Sequence, residues 1–474
     1  MTQETQTVED EALAQYAAAF RRFMQDEAAG PGAWLCPIRQ KAFERFEKNS
    51  FPSRHDESWR YSNLELAKKL GVSAAPIPRM ALSLKDIQPF LFSADWPRVV
   101  FFNGVYQQAL SSRDCGQNGL KVVSMVEAVR SHDKRLESHL TGEPVPPPLA
   151  GNLPIGQAGL PAGRQGIGRG KNTEPHDSVR SLNDLNTAFL KEGALLEIAP
   201  GAQLPKPVHI LSLFSSPEKT FVVHPRYLTL AGAGSRAILV QSFVSAAGHS
   251  FFNNTLTEIR LEENASLDHY VYAQPNAAGF HVSRNEAELS TGSRYRSFIF
   301  FSKSLFFRNE TTVNLKAPHA QTHLNGLFLT DGREHVDLEV LVPHRAPEGL
   351  SRQMFRGIAQ GSSRIVVNGK VSVSPGAQKT DAEQSLKNLL LSPDAVIDAR
   401  PQFEIDADDV KCAHGAAIGQ LDEDFVFYLK SRGIGDAEAR KMLTQGFAFE
   451  VLETFELSEL RKAAEKAMVG YFKS

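Results

Sequence analysis

The sequence is poor in cysteine, and this scarcity limits the kinds of protein it can encode. It has three cysteines among 474 residues, Cys36, Cys115 and Cys412, and they lie far apart. Three distant thiols cannot form the disulfide framework of a small secreted protein, so they favour a reducing compartment. The acidic, polar start MTQETQTVEDEALAQY has no charged-then-apolar leader. We therefore expect a soluble cytoplasmic protein.

Long apolar runs and a charge excess are also missing. No run reaches the length of a membrane-spanning helix, and LLLSPDAVI is broken by Pro393 and Asp394. Acidic and basic residues nearly cancel, to a formal net charge of −2, and no basic block stands out. Because nucleic-acid binding needs concentrated positive charge, neither a membrane nor a nucleic acid is an expected partner.

The sequence does contain many short strand-like runs separated by turn residues. Between residues 176 and 421, apolar or alternating runs such as AILVQSFV and RIVVNGKVSV recur between Gly, Asn, Asp and Pro turns. Several turns are spaced by roughly 28–33 residues, a period typical of stacked solenoids. This pattern predicts a mainly β protein with a parallel β-helix core. An antiparallel sandwich is the main alternative.

Four regions follow from composition and periodicity. Residues 1–143 are predicted to be mostly helical, with a hairpin at Asn103-Gly104, and residues 144–175 form a Pro/Gly-rich linker or insertion. The β-helix core spans 176–421, and a helical domain spans 422–474. We expect this tail to cover the end of the solenoid. Whether it also offers a docking surface stays open at this point, and the candidate residues are Phe425, Phe427, Tyr428, Met442, Leu443 and Phe447.

Two motifs resemble nucleotide-binding loops and fail as such. GIGRGKNT has Gln165 in place of the first Gly, and Asn172 follows Lys171 instead of Ser or Thr. GAGSRA precedes a strand, not a helix, so it lacks the helix N-terminus that would hold a pyrophosphate. It is predicted to be a solenoid turn. Trp59 and Tyr61, in a polar setting, are predicted to anchor their segment to the rest of the fold.

Cys412 and His414 form the strongest candidate site. If their segment is a strand, the two side chains point to one face and place a thiol beside an imidazole, both suited to binding a metal. An ordinary buried thiol beside a structural histidine remains the alternative. The other candidate histidines lack such partners and are predicted to lie in polar turns: His319, His323, His335 and His344.

Several segments resemble one protein family. PQFEIDADDVKCAHGAAIGQLDEDFVFYLKSRGI, FRGIAQGSSRIVVNGKVSVSPGAQKTDAEQSLKNLLLSPDA, LNDLNTAFLKEGALLEIAPGAQLPKPVHIL and DESWRYSNL are similar to the SufB/SufD family of iron–sulfur cluster assembly proteins. The resemblance covers nearly all of the chain except the Pro/Gly-rich insertion. Within this family, the CAHGA run and the absence of cysteine from QSLKNLLL resemble SufD more than SufB.

The resemblance implies a right-handed parallel β-helix flanked by helical N- and C-terminal regions. It implies a non-catalytic scaffold that pairs with SufB through the β-helix cores and binds the ATPase SufC through its C-terminal helices. His414 matches the family's cluster-assembly histidine, and Cys412 matches a nearby metal-accessible cysteine. The expected cargo is a transient Fe–S cluster or iron shared with SufB, with none held tightly by this chain alone. Reduced flavin at the level of the complex, and a homodimer in isolation, stay open.

Two other function classes are alternatives. A carbohydrate-active β-helix enzyme needs clustered acids in a groove, whereas Asp406, Asp408 and Asp409 are predicted to mark a turn. A structural adaptor would keep the partners and give Cys412 and His414 no metal chemistry.

Overall fold

The computed structural model describes residues 3–62, 64, 68, 82–112, 118–141, 180–216, 220–248 and 250–472. The predicted linker and Cys115 lie outside these residues. Of the helices in the described ranges, none combines the length and the apolar character that crossing a bilayer requires. These helices are α1 (Gln3–Ala28), α2 (Cys36–Asn49), α3 (Leu84–Ile87), α4 (Met125–Arg130), α5 (Lys134–Thr141), α6 (Ser181–Ala188), α7 (Glu423–Ser431), α8 (Asp436–Leu452) and α9 (Ser458–Tyr471).

The strands of the described chain run from the N-terminal region to just before α7. They are β1 (Arg98–Phe102), β2 (Val105–Tyr106), β3 (Leu120–Ser124), β4 (Gly193–Ile198), β5 (Val208–Ser216), β6 (Phe221–Val223), β7 (Arg226–Ala231), β8 (Arg236–Gly248), β9 (Phe251–Leu261), β10 (Ser266–Gln274), β11 (Asn276–Leu289), β12 (Arg294–Ser302), β13 (Ser304–Leu315), β14 (Gln321–Thr330), β15 (His335–His344), β16 (Leu350–Ala359), β17 (Arg364–Val373), β18 (Asp381–Leu390), β19 (Val396–Ile405) and β20 (Lys411–Gly419).

The strands form two long sheets that the chain visits in turn. Sheet I has the order β2-β1-β5-β8-β10-β12-β14-β16-β18-β20, and sheet II has the order β19-β17-β15-β13-β11-β9-β7-β4-β3, with β6 also paired to β9. From β7 onward neighbours within a sheet are parallel, and Gln321 lies beside Leu350, which lies beside Asp381. One turn of the solenoid therefore takes about 30 residues. The predicted parallel β-helix is confirmed, and the antiparallel sandwich is wrong.

The core lies between the two sheets and follows from strand alternation. In β17, Ile365, Val367, Val371 and Val373 recur at even spacing, and all are buried in the shared core. Glycines at the corners let the turns stack. Gly361 has φ +66°, and a Cβ there would lie 2.7 Å from the backbone nitrogen of Gly332 one turn earlier. A side chain at this corner would push adjacent turns apart.

The N-terminal region packs against the outer face of sheet II. Helices α1 and α2 bury aromatic residues and α6 buries leucines against strands of that sheet, and Phe20 stacks on Phe43 with centroids 4.1 Å apart. The same region also contributes strands, since β1 joins sheet I and β3 joins sheet II. The predicted Asn103-Gly104 hairpin is confirmed, because both residues have positive φ and Phe102 pairs with Val105.

Trp59 and Tyr61 anchor their segment to sheet II, as predicted. Trp59 is fully buried, with its ring 4.1 Å from the guanidinium carbon of Arg308. Arg308 donates to Glu310 at 2.7 Å and to Asp337. Glu339 lies in the same cluster, and burial raises its pKa to about 8 against the attraction of Arg308. This buried charge cluster links the adjacent strands β13 and β15 to the N-terminal segment.

The C-terminal helices pack on the side of the solenoid, and the prediction that they cover its end is wrong. Helices α8 and α9 and the segment between them bury Val451, Phe455 and Met468 against the outer face of sheet I. Arg356 of β16 is buried and pairs with Glu450 of α8 at 2.8 Å. An amphipathic stripe requires only that some apolar surface be covered. Here the side of sheet I supplies that surface, and the last turn of the solenoid stays open as far as the described residues go.

Candidate functional site

The candidate site lies on β20, the last strand of sheet I. Cys412 pairs with Ala382 of β18 and His414 pairs with Gln384, so the two residues occupy positions of the same face. Ala382 and Gln384 are both buried, which makes this the inner face of the solenoid. The prediction that the segment is a strand with both side chains on one face is confirmed. Cys412 and His414 thus lie at the open C-terminal end of the solenoid. This end is bounded by β19 and β20 and is named here the mouth.

This mouth has two open edges. Within the described residues, β20 pairs only with β18, and β19 is the last strand of sheet II, where it pairs with β17. Nothing in the described chain covers either edge, and most of β20 is exposed. Three apolar side chains of these strands are unusually exposed: Val396 at 45%, Ile405 at 39% and Ile418 at 45%. An uncovered sheet edge with exposed apolar side chains can pair with a β-strand of another chain.

The thiol of Cys412 is half-buried against the core of the solenoid. Burial raises the pKa of the Cys412 thiol above its ordinary value, and a hydrogen bond with the backbone of Ala382 partly opposes this. The thiol is therefore protonated at neutral pH while the mouth is uncovered. Binding of a cation would favour the thiolate, because the thiolate is the form that ligates metal.

The imidazole of His414 is exposed at the mouth. Its ring lies 4.9 Å from the ring of Phe403, which projects from β19 in the opposite sheet and packs against the core. Sheet I and sheet II thus each contribute one aromatic ring to the rim. The exposed position makes His414 accessible to a metal or to a partner chain.

The described residues contain no group of three or more His, Cys, Asp or Glu side chains arranged to hold a metal ion. Cys412 and His414 therefore supply two ligands at most. Asp406, Asp408 and Asp409 follow β19 in the turn before β20, where the backbone N–H of Asp409 donates to Gln378 at 2.9 Å. The prediction that they mark a solenoid turn is confirmed.

The other candidate histidines are part of the solenoid framework. His319 lies in a turn, with φ +61°, and contacts Glu348 at 3.0 Å, as expected for a polar turn. The same prediction is wrong for His323, His335 and His344, which lie in β14 and β15. His344 is fully buried and bonds Ser351 at 2.9 Å. A lone polar residue within a strand is difficult to distinguish from a turn residue by sequence.

The residues predicted for partner binding divide into two groups. Phe425, Phe427 and Tyr428 of α7 are exposed by 60%, 72% and 53%, and Met442 of α8 by 43%. Leu443 and Phe447 are half-buried, and Phe447 packs against the cluster that holds α8 on sheet I. The first four residues form an exposed apolar surface, named here the α7–α8 surface. Phe447 is partly buried within this chain, so less of its ring is available to a partner.

Sequence reasoning missed the inner residues that surround His414. Gln384 lies directly beside it, and Phe403 faces it from the other sheet. The alternation in DAEQSLKNLL, in which Ala382, Gln384 and Leu386 share the inner face, is the signal that could have found Gln384. Phe403 could be found only by knowing the register between the two sheets.

Comparison with known proteins connects this geometry to one family. Residues 214–447 match the model for the SufBD core domain of SUF-system FeS cluster assembly. The chain is 27% identical to the iron–sulfur cluster assembly SufBD family protein slr0076 of Synechocystis over 432 residues, covering 89% of this chain and 88% of the relative. It is 27% identical to the iron–sulfur cluster assembly protein SufD of Escherichia coli, covering 89% of both chains. It is also 28% identical to the chloroplastic protein ABCI7 of Arabidopsis thaliana, covering 86% of this chain and 90% of the relative. The chain therefore contains a SufBD core domain and is similar along most of its length to SufBD-family iron–sulfur cluster assembly proteins.

Proposed function

We propose that this protein is a SufD-type scaffold subunit on which an Fe–S cluster is assembled together with a SufB-type partner. The observation that carries the proposal is the position of Cys412 and His414 at the open C-terminal mouth of the solenoid. A thiolate and an imidazole are both ligands of iron–sulfur clusters. Iron and sulfide are the cargo of this site, and the chain itself performs no catalysis.

The site is half of a shared one. A cluster takes about four protein ligands, as cysteine thiolates or with histidines replacing some of them. Cys412 and His414 are two, and the described chain brings no third His, Cys, Asp or Glu to them. The partner would supply the remaining ligands. A shared site also explains why these residues face an open end of the solenoid and not a closed cavity.

The open edges of β19 and β20 are the surface for this partner. Each edge has backbone N–H and C=O groups without a neighbouring strand in the described chain. Strand addition by a partner with the same solenoid fold would pair these groups and cover Val396, Ile405 and Ile418. The contact would place the partner's residues within reach of His414.

The α7–α8 surface is the docking site for a SufC-type ATPase. Three aromatic rings on one short helix expose more apolar area than a solvent-facing helix needs. Helices α8 and α9 are fixed to sheet I, partly by the Arg356–Glu450 pair, so the surface has a rigid support. Nucleotide-driven movement of the ATPase could then be transmitted to the open mouth.

Co-purification with candidate SufB and SufC proteins tests the proposal. Replacing Ile418 by Lys places a charge on the exposed β20 edge and should abolish capture of the SufB candidate while leaving SufC capture intact. Glu383→Lys, on the exposed outer face of β18, is the matched control and should not affect SufB capture. Equal capture of the SufB candidate by wild type and Ile418→Lys would contradict the proposed edge.

Metal titration distinguishes a scaffold that binds the cluster through Cys412 from a structural adaptor without metal chemistry. Within the assembled complex, Cys412→Ser should weaken binding of Co²⁺, used as a probe for iron, if the thiol is a ligand. An adaptor without metal chemistry would bind Co²⁺ equally well before and after this substitution.

A further inference from the structure

A column of amide side chains on the inner face of sheet I ends at His414. Gln353 of β16 pairs with Gln384 of β18, and Gln384 pairs with His414 of β20. Both glutamines are almost fully buried, with exposed fractions of 3% and 1%. The Nε2 of Gln384 donates to the Oε1 of Gln353 at 3.1 Å. The amide of Gln384 is therefore oriented by the turn beneath it.

The other end of this amide has no partner. Within the described chain, the Oε1 of Gln384 is buried and accepts no hydrogen bond. Nε2 and Oε1 lie on opposite sides of the amide, so an Nε2 directed at β16 leaves Oε1 facing away from β16, on the side of β20. Buried acceptors are almost always paired in folded proteins. This oxygen is thus available to accept a hydrogen bond from a donor on the side of β20.

The opposite sheet is shaped to accommodate this amide. Gly369 of β17 faces it, and a Cβ at that position would lie 2.8 Å from the Nε2 of Gln384 and 3.5 Å from the Oε1 of Gln353. A larger residue would displace the amide from the column. The glycine thus leaves room for Gln384 to keep its orientation next to the mouth.

We infer that Gln384 is the positioning residue of His414, and this rests on the proposed function. When the partner covers the mouth, a ring N–H of His414 donates to the Oε1 of Gln384. A neutral imidazole has one N–H, so this hydrogen bond fixes the tautomer and leaves the other ring nitrogen free to bind iron. Metal-binding histidines are commonly held by such a second hydrogen bond. Phe403 supports the ring from the opposite sheet.

Co²⁺ titration of the assembled complex with the SufB and SufC partners tests this role. Gln384→Met keeps the side-chain length and removes the acceptor, and it should weaken Co²⁺ binding about 10- to 100-fold. Gln384→Glu keeps an acceptor oxygen and should retain most of the affinity. Gln241→Met is the matched control, because Gln241 is an equally buried amide that bonds His269 at 3.2 Å far from the mouth. It should leave Co²⁺ binding unchanged.

Wild-type affinity in Gln384→Met, or equal losses in the Met and Glu variants, would overturn the inference and leave the proposed function standing. Unchanged Co²⁺ binding by His414→Ala would overturn the proposed function itself. If Gln384→Met does not assemble, the experimental structure of the wild-type complex with Co²⁺ decides. A ring nitrogen of His414 within hydrogen-bond distance of the Oε1 of Gln384 supports the inference, and a longer separation refutes it.

Discussion

The imidazole of His414 and the ring of Phe403 meet at the mouth of the solenoid, with centroids 4.9 Å apart and planes inclined by 56°. The two residues come from the last strands of opposite sheets, so their contact exists only when both strands are in register with the turn before them. The position of the proposed cluster ligand, His414, therefore depends on correct folding of the last turn. It also places the ligand on the rim that a partner would cover.

Substitution of an exposed residue on the α7–α8 surface should weaken partner binding without destabilising the fold. Phe427 is 72% exposed, so Phe427→Asp should change the free energy of unfolding by no more than about 0.5 kcal/mol. If Phe427 is an anchor of the ATPase interface, the affinity should fall at least about 30-fold, which corresponds to roughly 2 kcal/mol. Calorimetric titration with the ATPase and urea unfolding give the two values.

Val469→Asp is the control for this surface. Val469 of α9 is also an exposed apolar residue of the C-terminal helices, at 40%. It lies outside the α7–α8 surface, and its substitution should leave ATPase affinity unchanged. Equal losses in both variants would mean that the interface is not confined to that surface.

Removal of Trp59 should detach the N-terminal segment from sheet II. Trp59 is fully buried over Arg308, and Trp59→Ala should lower the free energy of unfolding by about 3–5 kcal/mol. The loss should be accompanied by faster proteolytic cleavage near residues 53–62. Trp59→Phe, which keeps a ring over the guanidinium, should lose less. Similar protection of the segment in wild type and Trp59→Ala would show that the ring does not anchor it.

The buried carboxyl of Glu339 should make the stability of the protein fall as the pH rises. Its folded pKa of about 8 lies above the ordinary value of 4.5, because burial disfavours the carboxylate. The neutral acid therefore contributes its full stability below about pH 4.5, and this contribution is lost as the pH rises toward 8. Glu339→Gln, which stays neutral, should be more stable than wild type at pH 9, by on the order of 1–3 kcal/mol. It should show no gain at pH 4.

Urea unfolding at the two pH values checks this prediction. Glu404→Gln is the control, because Glu404 is 64% exposed and pairs with Lys370 at the surface. Its substitution should have little effect at either pH. A Glu339→Gln variant that is less stable than wild type at pH 9 would mean that the carboxylate is stabilised by the Arg308 cluster.

The sequence was sufficient to predict the repeating architecture. The approximately 30-residue spacing of turns and the apolar runs between them require stacking, because no single turn can bury its apolar face alone. Local signals also identified the Asn103-Gly104 hairpin and the strand that carries Cys412 and His414. These features depend on residues close together in the chain, where side-chain alternation and turn chemistry are visible.

Features that depend on register were not predictable in the same way. The amphipathic stripe of α8 required a covering surface but did not specify the side of sheet I. The strand positions of His335 and His344 were missed because isolated polar residues in strands look like turn residues. The Arg308 cluster and the Gln353–Gln384 column join residues on different turns, so they appear only once the strands are aligned.

The most direct test of the account is cluster assembly by the complete complex carrying His414→Ala. The substitution should abolish or greatly slow formation of the Fe–S absorption bands while the subunits still co-purify. Lys411→Ala, an exposed residue of the same strand, should assemble clusters at the wild-type rate. Normal cluster assembly by an intact His414→Ala complex would contradict the claim that the mouth of the solenoid is half of the assembly site.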